Sequence, residues 1–316
     1  MLVGKEGLER LAAARVVVVG LGGVGAVAAE MLARAGVGHI VIIDPDEVGE
    51  TNLNRQVIAL HSTLGRPKVD VVRERLLDIN PDLDVVALRT FIAEDNIPEV
   101  FDAICSSSEG GDSGLCCPSG SVSFPANAGE RTGQRIGAAE CLDDDSETLW
   151  GSSGNRATLG NVRGGTAQRS GAVGSEGRSP EEPHSVAKID FVIDAIDTLS
   201  PKIALSQYCL SHSIPLVSSM GSGAKTDATQ IRIADIGDTF ECPLARMMRK
   251  RLHKLGITSG FLAVFSPEVP DKRGMTIEET RNKKSQVGTI SYLPAAFGCI
   301  CAQAAITRIV GINGID

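Results

Sequence analysis

The feature that most narrows the fold is a run of glycines set between an apolar strand and a small-residue helix. Residues 15–20 read Arg-Val-Val-Val-Val-Gly. Four consecutive valines without polar alternation predict a strand buried on both faces. Gly20-Leu21-Gly22-Gly23-Val24-Gly25 follows at once, and Gly22 to Ala35 then has helical spacing. Glycines in that place permit a tight turn and let backbone amides reach an anion at a helix N-terminus. His39 to Asp44 is a second apolar strand, and Asp44 ends it 19 residues beyond Gly25. That spacing suits a carboxylate accepting from ribose hydroxyls. The expected fold is α/β: a Rossmann-like, doubly wound, mainly parallel sheet with antiparallel additions in the C-terminal part. Aromatics make up only 3% of the chain, so Val, Ile, Leu and Ala must fill the core.

Further elements follow the same rules. Lys68 to Ile79 is amphipathic and is stopped by Asn80-Pro81. Asp84 to Leu88 reads as a strand and Ala93 to Phe101 as a short helix. Later come a strand ending at Asp194 (Ile189 to Asp194), a helix (Pro201 to Ser213) and a strand (Ile214 to Ser218). Thr229 to Ile236 alternates and predicts an antiparallel strand, and Pro243 to Leu255 is a basic helix. Gln286 to Thr307 lacks charge but is interrupted by Gln286, Thr289, Ser291, Pro294 and Gln303. A strand end and a buried helix are expected there, not an integral membrane segment.

Between these halves the texture changes. Residues 106–185 hold 15 glycines and no sustained period, and predict a disordered or loosely ordered insertion. The flanking segments, 1–105 and 186–316, are expected to form one domain. The insertion carries 11 Asp/Glu and 6 Arg, a net of −5 within the chain's −8, leaving −3 for the rest. Basic residues can therefore still cluster locally. None of the eight cysteines forms a Cys-x-x-Cys pair, which argues against a Cys₄ zinc site. The first apolar run is too short for a signal peptide, so a reduced, cytoplasmic setting is expected.

A glycine turn with Asp44 fits a nicotinamide or flavin dehydrogenase, or a merely structural turn. Two segments redirect it: Thr51-Asn52-Leu53-Asn54-Arg55-Gln56 and Gly65-Arg66-Pro67-Lys68. Charge builds on phosphate oxygens when ATP is split between its α and β phosphates, and Arg55 and Lys68 are the residue types that meet it. Taken singly, each reads as a solvated surface cation; taken with the glycines and Asp44, the pair reads as a phosphate site. Asp194-Ala195-Ile196-Asp197 closes a later strand, where a carboxylate faces the ligand crevice. Asp197 is the candidate for holding Mg²⁺ on the phosphates, and Asp194 is either a second ligand-side carboxylate or a structural cap.

Taken in order, Gly-Leu-Gly-Gly-Val-Gly, Asp44-x-Asp46, Thr-Asn-Leu-Asn-Arg-Gln, Gly-Arg-Pro-Lys and Asp-Ala-Ile-Asp-Thr resemble the ThiF/MoeB superfamily of ubiquitin- and sulfur-carrier-activating adenylyltransferases. The resemblance covers 1–105 and 186–316. It implies ATP binding by Gly20, Gly22, Gly23, Gly25, Asp44, Asp46, Asn52, Arg55, Lys68 and Asp197, with Arg55, Lys68 and Asp197 serving the reaction. It also implies a homodimer.

The second half, with Pro201-Lys202, Ile214-Pro215-Leu216-Val217, Gly221-Ser222-Gly223, Asp227-Ala228-Thr229-Gln230, Pro243-Leu244-Ala245 and Val264-Phe265-Ser266, looks most like the tRNA threonylcarbamoyladenosine dehydratases. That implies an AMP-forming cyclisation: ATP adenylylates the threonyl carboxylate of the modified adenosine beside the anticodon, the ureido group closes a ring, and AMP leaves. Members of the superfamily occur in the cytoplasm and at mitochondria. The family usually has an arginine-bearing arm upstream of Met1-Leu2-Val3-Gly4, for which Arg10 is the substitute candidate. Cys242 stands before Pro243 where the family usually has an acidic residue.

Arg246, Arg249, Lys250, Arg251 and Lys254 lie on the basic helix and are candidate tRNA contacts, or a solvated face. Arg281, Lys283 and Lys284 form a second cluster. Cys209, Cys299 and Cys301 read as core, and Cys242 is the candidate reactive thiol. Two rival readings use the same nucleotide site: an activator of a ubiquitin-like or sulfur-carrier protein, with that carrier or a sulfur acceptor as partner, and a non-catalytic dinucleotide-binding scaffold.

Overall fold

Val16 to Val19 sit at the centre of the molecule, at most 3% exposed, because both faces of their strand are covered. The computed structural model describes residues 2–106, 188–271 and 288–312, with the backbone of 121–122, 275–276 and 286–287. These residues belong to one compact unit built from 1–124 and 185–316. The expected insertion lies outside the described residues except for Ser106 and, within it, 121–122, which add a two-residue strand to the sheet; Arg281, Lys283 and Lys284 lie outside them altogether.

Strand β1 (Arg15–Val19) pairs in parallel with β2 (His39–Ile43) on one side and β5 (Phe191–Asp194) on the other. With β3 (Asp84–Leu88), β4 (Ser121–Val122), β6 (Leu216–Ser219), β7 (Arg232–Asp235) and β8 (Leu262–Phe265), the sheet runs β4-β3-β2-β1-β5-β6-β8-β7. Every neighbour pair is parallel except β7 on β8. Chain order reverses at β1, so a crevice opens beyond the carboxyl ends of β1 and β5, where ligands of such sheets bind. Strands β9 (Met275–Thr276) and β10 (Gln286–Val287) form a separate antiparallel pair.

Helices cover both faces. Val16 and Val18 pack in one core with Leu11 of α1 (Gly4–Ala13), Leu32 of α2 (Gly25–Ala35), Leu76 of α3 (Lys68–Ile79) and Phe297 of α7 (Tyr292–Val310). Val17 and Val19 point the other way, with Phe101 of α4 (Ile97–Ser106), Leu205 of α5 (Leu199–Ser211) and Met248 of α6 (Pro243–Lys254). The alternation is the period of a strand.

Several boundaries differ from the sequence expectation. Helix α2 starts at Gly25, not Gly22, because residues 20–24 form the turn itself. Helix α4 starts at Ile97, not Ala93: Asn96 Oδ1 accepts from the Ala93 N–H at 2.9 Å, and this local bond competes with the helix. The alternating run at 229–236 yields strand only over Arg232–Asp235, since Asp227 and Asp235 cap short 3₁₀ turns at either end. Strand β8 and helix α1 were not expected. Helix α7 is long and apolar enough to cross a membrane, but Leu293, Phe297, Cys301 and Ala305 are buried on the sheet and on α2. The expected strand end and buried helix stand.

Candidate nucleotide site

The turn after β1 depends on two glycines. Gly20 has φ +91°, and a Cβ there would lie 2.7 Å from the Ala195 carbonyl oxygen. A Cβ on Gly25 would lie 1.7 Å from the Gly20 oxygen. The turn therefore closes on itself and on the end of β5, leaving no room for side chains. At Gly22 the nearest atom to an added Cβ is Gln56 Nε2 at 3.7 Å, so this glycine is not required for packing. Backbone at Gly22 lies open to a ligand instead.

Asp44 follows β2 and is 5% exposed. Its Oδ2 accepts from the Leu21 N–H at 2.6 Å and its Oδ1 from the Asp46 N–H at 2.9 Å. The carboxylate thus fixes the glycine turn and also stands beside it. Burial pushes the Asp44 carboxyl above its ordinary range, opposed by Lys68 and by these two amides. Lys68, at the first turn of α3, is also 5% exposed. Its Nζ donates to Asp46 Oδ2 at 2.9 Å and lies 3.9 Å from Asp44 Oδ1. Lys68 is a buried cation clamped between two carboxylates, which rules out a solvated surface lysine.

Residues 50–56 loop over the glycines. Asn52 Oδ1 accepts from the Gly49 N–H at 3.0 Å. Arg55 is half-buried, and its Nη1 donates to the Thr51 carbonyl and to Asn54 Oδ1, each at 2.9 Å. The Arg55 carbonyl and Pro294 crowd Gly23, at 3.1 and 2.9 Å from an added Cβ. No carboxylate among the described residues is ion-paired with Arg55. Gln56 points its Nε2 toward Gly22, and its Oε1 is buried without a hydrogen-bond partner among the described residues. Gln56 was not singled out in the sequence, although it ends the Thr-Asn-Leu-Asn-Arg-Gln segment.

Asp194 and Asp197 have different fates. Asp194 is fully buried, with Lys202 Nζ 2.8 Å from Oδ2, Ser218 Oγ donating to Oδ2 at 2.6 Å and the Ile196 N–H to Oδ1 at 3.0 Å. Lys202 also donates to the Ile196 carbonyl at 3.0 Å. The cap reading of Asp194 is the structural one, and its task is to fix the turn that carries Asp197. Lys202 was missed as part of this network; a lone lysine directly before the apolar run Ile203-Ala204-Leu205 was the available signal. Asp197 is exposed beyond the end of β5.

On the basic helix, Arg246, Lys250, Arg251 and Lys254 are exposed, while Arg249 Nη1 bonds to both oxygens of Thr239 and is tied to the fold. Arg10 donates to the Val310 carbonyl of α7 at 3.3 Å and, within α1, to Glu6 at 2.6 Å. Cys209 and Cys301 are core, as expected, and burial pushes both thiols up to about 12. Cys299 is exposed, contrary to expectation, because it lies one residue from the buried Gly298 on the outer side of α7. Cys242 is 2% exposed beside Lys225, whose Nζ is 4.0 Å from the sulfur and donates to the Ser266 carbonyl at 2.6 Å.

Comparison with known proteins places the chain among relatives of one kind. The chain is 33% identical to the tRNA threonylcarbamoyladenosine dehydratase of Bacillus subtilis over 95% of its own length and 88% of the relative's. Similarity to the SAMP-activating enzyme E1 of Haloferax volcanii is 42% but spans only 31% of this chain and 36% of that one. The crystal structure of the Escherichia coli tRNA N6-threonylcarbamoyladenosine dehydratase in complex with ATP superposes with a TM-score of 0.66 at 27% identity, covering 98% of this chain and 91% of that one. The ThiF family matches residues 1–108 and 175–316. A glycine turn pinned by Asp44, a clamped Lys68 and a full-length match lead to one conclusion: this chain belongs to the ThiF family.

Proposed function

We propose that the chain is an ATP-dependent, AMP-forming enzyme that dehydrates threonylcarbamoyladenosine in tRNA to its cyclic form. The observation that carries this is extent. Similarity to the dehydratase runs through both halves, whereas similarity to the carrier activator stops within a third of the chain. The match over 95% of the chain is therefore the informative one.

The residues suit the chemistry. Backbone amides of the turn at Gly22, Gly23 and Gly25 take phosphate oxygens; Gly20, whose own N–H donates to the Ile43 carbonyl at 2.8 Å, shapes the turn. Asp44 takes ribose hydroxyls through lone pairs its two amide donors leave open. Asp46 keeps Lys68 in place. Asn52 shapes the loop that presents Arg55, and Arg55 with Lys68 meets charge leaving with pyrophosphate. The threonyl carboxylate attacks the α-phosphorus, giving an acyl adenylate. The ureido nitrogen then attacks that carbonyl, a ring forms, AMP departs, and the balance for the nucleoside is loss of one water. One exposed carboxylate at Asp197 fits Mg²⁺, which binds through one or two carboxylates plus substrate phosphates. The bound ion would neutralise phosphate charge. The break in the family match between 108 and 175 supports reading 106–185 as an insertion into one ATP-binding domain, and the resemblance supports a homodimer.

The test is to incubate the protein with ATP, Mg²⁺ and tRNA carrying the modification, and to analyse nucleosides by mass. A product lighter by one water is expected. ATP turnover without it would sink the dehydratase reading, and pyrophosphate exchange dependent on a carrier protein would replace it.

A further inference from the structure

One aromatic residue outside the nucleotide site is held in the open. Phe240 is 45% exposed. Its ring stands at 78° to the buried ring of Phe265, with centroids 5.5 Å apart, and the guanidinium of Arg232 lies 5.6 Å from its centroid. Arg232 and Phe265 are direct partners in the β7–β8 register. The backbone on either side is fixed as well. Thr239 is gripped by Arg249 and by the Ile236 carbonyl, and the Cys242 N–H donates to the Phe240 carbonyl at 2.7 Å. Glu241 completes that turn at φ +55°, a conformation that side chains other than glycine seldom adopt. A scattered surface phenylalanine is ordinary; one propped by a neighbouring ring, an arginine and a left-handed turn is placed.

Its surroundings indicate the occupant. Helix α6 begins three residues later and exposes Arg246, Lys250, Arg251 and Lys254, and Arg232 adds a fifth cation. Asp238 and Glu241 are the acids of the loop, so the positive charge comes from the helix and from β7. An aromatic face beside clustered Arg and Lys is the pattern that takes an unpaired base and its phosphates. The position is also right. Phe265 is the last residue of a strand parallel to β1, so the ring lies at the edge of the sheet where Gly20 follows β1. Three to four strand spacings separate them, roughly 14–19 Å at about 4.8 Å per strand. A few nucleotides of splayed single strand span that distance.

We propose that Phe240, with Arg232, is a stacking platform for an unpaired anticodon-loop base flanking the adenosine that reacts at the glycine turn. This rests on the tRNA reading above and adds the surface that positions the loop.

The experiment measures fluorescence anisotropy of a labelled anticodon-arm RNA hairpin with the full-length protein across a salt series, with ATP affinity measured in parallel. Phe240→Leu is expected to weaken RNA binding about 5- to 100-fold, leaving the salt slope and ATP affinity unchanged. Phe240→Trp should restore binding. Lys250→Ala should instead lower the salt slope by about 1. A wild-type protein that binds RNA, together with a Phe240→Leu variant of equal affinity, overturns the platform alone. A wild-type protein that binds ATP but no RNA overturns the tRNA reading with it. Equal RNA affinity with an altered sedimentation coefficient in Phe240→Leu would give this face to a second copy of the chain, and likewise overturn the platform.

Discussion

Lys202 Nζ lies 2.8 Å from Asp194 Oδ2, and neither side chain has any solvent exposure. Asp194 also takes the Ser218 hydroxyl and the Ile196 N–H, so the pair sets the turn that projects Asp197. Removing one partner of such a pair strands a buried charge. Lys202→Met should lose about 3–5 kcal/mol of stability, and the double variant Asp194→Asn/Lys202→Met should recover part of it. Urea unfolding of the three proteins checks this. A single variant as stable as the wild type would mean the pair contributes nothing.

The glycine turn allows a contrast between packing and ligand approach. Gly25→Ala places a methyl 1.7 Å from the Gly20 oxygen and should disrupt the turn, with loss of both stability and ATP binding. Gly22→Ala meets only Gln56 Nε2 at 3.7 Å. It should melt within a few degrees of the wild type yet bind ATP at least about tenfold more weakly, a loss of about 1.4 kcal/mol. Calorimetry and thermal melts separate the two, and equal ATP affinity in Gly22→Ala would show that phosphates do not approach there.

Asp44 titrates above its ordinary range because it is buried. Folding therefore favours its protonated form, and this group's contribution to stability is greatest at low pH. It falls as pH rises from the unfolded value, about 3.9, through the raised folded one. Ribose binding needs the opposite form, the carboxylate. ATP affinity should accordingly rise with pH along a limb displaced above the usual carboxylate range, and Asp44→Asn should flatten that limb while weakening binding. A wild-type profile flat from acid to neutral pH would contradict this.

Arg55 and Lys68 differ in burial, and so should their variants. Arg55 makes two bonds within its own loop, so Arg55→Ala should keep the fold and lower adenylylation by about 10²–10³. Lys68→Ala leaves Asp44 and Asp46 without their shared cation and should lower the melting temperature as well. Pyrophosphate exchange and thermal melts, run on both, give the split. An Arg55→Ala protein with full exchange would remove Arg55 from the reaction.

The thiols divide by burial. Cys209 and Cys301, held at about 12, should resist maleimide at neutral pH until the protein is unfolded, whereas Cys299 should label in the native state. Peptide mapping after brief labelling reads this directly.

Much of this was legible in the chain. The four valines before Gly20 determined a doubly buried strand, since nothing polar in them can face water. The glycine spacing determined the turn, because no side chain fits at positions 20 and 25. Asp44, Arg55 and Lys68 marked a candidate phosphate site by residue type and order. Local pattern cannot show which groups meet across the fold. Residue type and order cannot show that α3 buries Lys68 between Asp44 and Asp46. Asp194 and Asp197 are alike in sequence, three residues apart, and only the packing of Lys202 and Ser218 makes one structural and leaves the other at the crevice. Arg249 belongs to the basic helix by spacing, but the loop at Thr239 claims it. Phe240 had no signal at all, because its placement depends on Phe265 and Arg232 from two paired strands. Residue types and near-neighbour spacing determined the elements and the kind of site; charge partners and exposure are long-range properties, and only the tertiary structure decided them.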